Sequence, residues 1–144
     1  MRVIATLLVL LALLAGCGGD TSGAAVEFDE TLQRSVTELA RAGGSRPLKE
    51  LAPGDWTSVH ILLGPASGAR IERELGQPTE IDGDGTHGGD YVQDGNLLVF
   101  RRDDEIVRMV SLGQVAALGE GRYDADVVLT AREGAITMTE PADR

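Results

Sequence analysis

The chain has 144 residues, 42% of them apolar, with 13 Lys and Arg against 23 Asp and Glu and a formal net charge of -10. That length holds one ordinary domain, and the acidic balance excludes a nucleic-acid binder led by phosphate contacts. Two Phe, two Tyr and one Trp leave little for base stacking.

The apolar residues are unevenly spread. Between Val3 and Ala15 only Thr6 interrupts an apolar run, with Met1 and Arg2 as a short positive start and Leu14-Ala15-Gly16-Cys17 as a small-residue end. This is the layout of a secretory signal, too short to span a bilayer as a permanent helix. Leu14-Ala15-Gly16-Cys17 resembles the lipobox of bacterial lipoproteins. The resemblance implies cleavage after Gly16, a diacylglyceryl thioether on the Cys17 sulfur and an acylated amino group, with no other cofactor. Each methylene buried in lipid contributes about 0.8 kcal/mol, so several acyl chains hold firmly. Cys17 is the only cysteine, so no internal disulfide supports the exported domain. Residues 18–25, Gly-Gly-Asp-Thr-Ser-Gly-Ala-Ala, read as a tether.

Within 26–144 the spacing of Phe28, Leu32, Val36, Leu39 and Ala40 predicts an amphipathic helix from Val26 to Ala42, stopped by Gly43 and Gly44. Its polar face is not basic, so a core-facing role is expected rather than a membrane-lying one. Ser45 to Asp55 reads as a loop. Trp56 to Leu63 reads as a strand with Trp56, Ser58, His60 and Leu62 on one face. Ser67 caps a short helix through Leu75 that ends at Gly76 and Pro78. After the Gly-rich loop Ile81 to Asp90, period-two segments predict a meander: Tyr91 to Gln93, Asn96 to Arg102 and Glu105 to Ser111. Gly113 to Asp126 reads as a connection with a helical turn near Val115 to Leu118. A last hairpin is predicted from Val127 to Thr130 and Ala135 to Thr139 around Arg132-Glu133-Gly134. The expectation is an α+β domain, two helices on one face of an antiparallel sheet of five to six strands.

The stretch Ile71-Glu72-Arg73-Glu74-Leu75-Gly76-Gln77-Pro78 ends a helix in Leu-Gly-x-Pro. In this it resembles the SmpA/OmlA-type family, which assists outer-membrane β-barrel assembly. A Trp-led strand, a Gly-Pro turn, a helix ending Leu-Gly and a hairpin, over roughly Asp55 to Val110, also resemble a set of uncharacterised small secreted proteins. Both resemblances imply a non-catalytic envelope domain.

Chemistry-bearing residues are few. In Asp82-Gly83-Asp84-Gly85-Thr86-His87-Gly88-Gly89-Asp90 the first two aspartates match the opening ligands of a calcium loop, and Asp90 adds a third carboxylate. His87 then stands where that loop needs glycine, and Gln93 where it needs a bidentate glutamate. The loop therefore reads first as solvated, with cation binding by Asp82, Asp84 and Asp90 as the alternative. No Gly-x-Ser-x-Gly elbow occurs, and His60 and His87 are the only histidines. Arg101-Arg102-Asp103-Asp104-Glu105 reads as a solvated strand end. Trp56 is a candidate partner-binding anchor if exposed, and a core residue if packed on the first helix. These features point to a membrane-anchored extracytoplasmic lipoprotein whose domain binds or positions an envelope protein without catalysis. A divalent-cation or small-ligand module is the first alternative, and a cell-wall enzyme using a carboxylate pair the second.

Overall fold

The computed structural model describes residues 23–113 and 117–141. Cys17 and the expected helical turn near Val115 to Leu118 fall wholly or partly outside them. Among the described residues there are three helices and ten strands, mixed α and β with antiparallel pairing dominant.

The chain enters as strand β1, Val26–Phe28, and not as helix. Asp29 is the reason. Its Oδ1 accepts the Leu32 N–H at 2.8 Å, so helix α1 begins at Glu30 and runs to Ala42. A carboxylate there satisfies one of the first-turn N–H groups that have no partner within the helix. Gly43 closes the helix at φ 75°, and its N–H reaches the Leu39 carbonyl. Phe28, expected on the buried helical stripe, is instead 41% exposed.

The region expected as a loop from Ser45 to Asp55 contains strand β2, Gly44–Pro47, and helix α2, Leu48–Leu51. Strand β3, Ser58–Leu63, and helix α3, Gly68–Leu75, form as the pattern predicts. Strands β4 (Thr86–His87) and β5 (Asp90–Tyr91) make a small hairpin. Strands β6 (Asn96–Arg102) and β7 (Glu105–Leu112) are the expected antiparallel pair. Strand β8, Gly121–Asp124, follows, and then the predicted last hairpin, β9 (Val128–Arg132) and β10 (Ala135–Thr139).

The main sheet has the order β1-β7-β6-β3-β8, parallel at β1-β7 and antiparallel elsewhere. Tyr91 does not open the meander, because β3 pairs with β6 along its whole length and leaves no edge there. Tyr91 pairs with Thr86 instead. A second sheet, β10-β9-β2, stands apart from the first.

The two longer helices lie on opposite faces of the main sheet, which corrects the one-sided arrangement. Leu32, Val36 and Leu39 of α1 share a core with Val59, Ile61, Leu98, Phe100, Val110 and Leu112, together with Leu129, Ala131 and Ile136 of the second sheet. Ile71 and Leu75 of α3 share the other core with Leu62, Leu97, Val99, Met109, Ile81 and Tyr91. Because successive residues of a strand point to opposite faces, the run Leu97-Leu98-Val99-Phe100 feeds both cores. Each such side chain contributes about 1.5–3 kcal/mol on full burial.

Candidate functional site

A cleft of about 650 Å³ opens where the described chain begins. Its walls are Gly23–Ala25, the first turn of α3, Thr79–Asp82 and Gly88–Asp90. Among the described residues, its ionisable lining is all acid: Glu72, Glu80, Asp82 and Asp90. Ser67 caps α3 through Oγ at 3.3 Å from the Arg70 N–H, and Asp90 Oδ1 takes the Gly68 N–H at 2.8 Å. Glu72 Oε1 accepts the Thr79 N–H at 3.3 Å and ties α3 to the far wall.

The three candidate metal ligands have separate places. Asp82 and Asp84 flank β1: the Val26 N–H donates to the Asp82 carbonyl at 2.7 Å, and the Asp84 N–H donates to the Val26 carbonyl at 2.8 Å. Asp84 Oδ2 then accepts the Phe28 N–H at 2.8 Å. Gly83 between them sits at φ 97°, and a Cβ there would come within 2.3 Å of the Val26 carbonyl oxygen. Only glycine permits that approach. The aspartates thus cover the outer edge of β1 and cap α3. Among the described residues no three His, Cys, Asp or Glu side chains converge to hold a metal ion. His87 is exposed on β4.

His60 shares a sheet face with Leu62, as alternation predicts, in a smaller hollow of about 200 Å³ with Arg70, Glu74 and Glu120. Burial pushes its imidazole below the ordinary 6.5; Glu74 and Glu120 oppose this, while Arg101 and Arg122 reinforce it. Glu120 Oε1 accepts both the Leu63 N–H at 2.8 Å and Arg70 Nη2 at 2.5 Å. The Leu63 N–H bond holds the Glu120 carboxyl below its usual value against a smaller opposing effect of burial, and Arg70 helps. This arrangement pins α3 to the end of β3.

Trp56 does not continue the face of His60, because β3 begins two residues later. It is 4% exposed and packs in the α1-side core, with its ring centroid 5.0 Å from that of Phe100. Its Nε1–H donates to the Ala52 carbonyl at 2.8 Å, and Lys49 Nζ lies 4.3 Å from the ring centroid. Both contacts come from the α2 region, which the sequence pattern did not reveal. As an anchor for a partner Trp56 has no open surface.

Arg101 also departs from the solvated reading. It is buried, and it donates to the Leu75 carbonyl at 3.2 Å and to Gln77 Oε1 at 2.8 Å, closing the C-terminal end of α3. The signal was its alternation with Leu97 and Val99. Arg102 does lie at the surface, bridging Asp55 and Glu105.

Comparison of the chain with protein-family models, with curated proteins and with solved structures finds no match.

Proposed function

We propose that this protein is a lipid-anchored extracytoplasmic lipoprotein whose domain binds or positions another envelope protein without catalysing a reaction. The observation that carries this reading is Leu14-Ala15-Gly16-Cys17 directly behind the apolar run from Val3, six residues ahead of the first described residue. The helix stop at Leu75-Gly76-Gln77-Pro78, which resembles that of envelope assembly lipoproteins, supports the same role.

Crosslinking of intact cells producing the full chain, followed by identification of what is joined to the domain, tests it. A reproducible envelope protein is the expected product; a reproducibly empty result sinks the binding role. The cleft favours a second reading, a small-ligand module, because its volume falls in the range of small-molecule sites. Calorimetric titration with calcium examines the cation form of that reading, and heat at sub-millimolar concentration would favour it over the first.

A further inference from the structure

The chain enters the fold on one side of the main sheet. Gly23 lies so close to Glu80 that a Cβ on it would stand 2.8 Å from the Glu80 carbonyl oxygen, and Ala24 packs against the core that holds Ile71 and Ile81. This is the side of α3 and the cleft. The second sheet, β10-β9-β2, lies across the main sheet from it, packed through Leu129, Ala131 and Ile136.

Six residues, Cys17 to Ser22, separate the expected lipid attachment from Gly23. Six residues can span at most about 20 Å. A domain of roughly 120 residues has a radius of gyration of about 14 Å, equivalent to a sphere of about 18 Å radius. A sphere resting above a plane and held by a leash of about its own radius must keep the attachment point on the half turned towards the plane. The cleft that Gly23 lines, with Glu72, Glu80, Asp82 and Asp90, then lies on average nearer the headgroups than the second sheet does, and the leash holds it there against the repulsion of anionic lipid within about 8 Å. The orientation is set by the leash and not by adhesion.

We propose that the anchored protein turns its α3 and cleft side towards the bilayer that holds it and presents the β10-β9-β2 sheet outwards. This rests on lipidation of Cys17.

The test uses the full lipidated chain in vesicles of phosphatidylethanolamine and phosphatidylglycerol carrying a headgroup acceptor dye. Donor dyes are placed on Ala69→Cys in α3 or on Ala135→Cys in β10, both exposed positions. Arg73→Cys and Thr139→Cys serve as a second pair against local misfolding. Energy transfer should be higher from the α3 position of each pair. Inserting a Gly/Ser segment several times the length of the tether between Ser22 and Gly23 should remove the difference. Equal or reversed transfer with the native tether overturns the orientation, as does a difference that survives the insertion. Protein that fails to bind vesicles overturns the anchor reading itself, whereas bound protein with equal transfer overturns the orientation alone.

Discussion

Asp29 joins two jobs in one carboxylate. One oxygen caps α1 at Leu32, and the other accepts Arg108 Nη2 at 2.6 Å, while Arg108 Nε reaches Glu27 at 2.6 Å. Burial pushes the Asp29 carboxyl up, but the Leu32 N–H and Arg108 outweigh it and hold the group below its usual value. Asp29→Ala should destabilise the domain by about 0.5–2 kcal/mol in denaturant unfolding, and Asp29→Asn, which keeps the cap acceptor, by less. The histidine at position 60 supplies a pH signature. Its folded value lies below 6.5, so the unfolded chain binds the proton more readily. The stability it contributes is complete above 6.5 and is lost as pH falls through the folded value. Melting temperature should therefore drop across that window, and His60→Gln should flatten the drop. The steeper acid limb, where Asp29 and Glu120 protonate below the ordinary carboxylate range, should remain.

At the level of elements, α2 shows how a four-residue helix gains a purpose from packing. It is too short to stand alone, yet it brings Lys49 over Trp56 and leads into Ala52, whose carbonyl accepts the indole N–H. Trp56→Ala should cost about 3–5 kcal/mol, since it removes a large side chain from the α1-side core. Trp56→Phe should cost less, mainly the net value of one hydrogen bond, about 0.5–1.5 kcal/mol. Equilibrium unfolding in urea measures both. The strands divide by how visible they are in the pattern. β3, β6 and β7 carry their own apolar signal, whereas β2 reads Gly-Ser-Arg-Pro and becomes a strand only by pairing with Val128–Ala131. β1 and β8 are likewise three and four residues long, below the length at which alternation can be recognised.

For the whole molecule, the proposed attachment and the described fold make separate predictions. The apolar run from Val3 to Ala15 precedes Gly23 in the sequence, and among the described residues the two cores are built from Ala24 onwards. Cys17→Ala should abolish fatty-acid labelling and move the protein from the membrane fraction to the soluble one. The melting temperature of the domain should stay unchanged. Persistent labelling would sink the anchor, and a large loss of stability would show that the fold depends on it. The described domain carries an acidic cleft beside Gly23, so on the proposed anchor the short tether and the charge of the cleft would oppose one another above an anionic bilayer.

The amphipathic stretch from Leu32 to Leu39, the Ser67 to Gly76 helix and the β6-β7 hairpin were all legible along the chain. Each depends on residues near one another, whose spacing, caps and turn chemistry act locally. Which strands pair, and on which side each helix lies, depended on distant partners. The β3 strand took the edge of β6 that Tyr91 was expected to fill, and the two-sided run Leu97-Leu98-Val99-Phe100 placed α1 and α3 on opposite faces. The roles of the chemistry-bearing residues followed from the same long-range pairing. Asp84 covers β1, Asp90 caps α3, Trp56 seals a core and Arg101 closes a helix end, each satisfying a backbone group or filling a volume that exists only once the sheet has assembled.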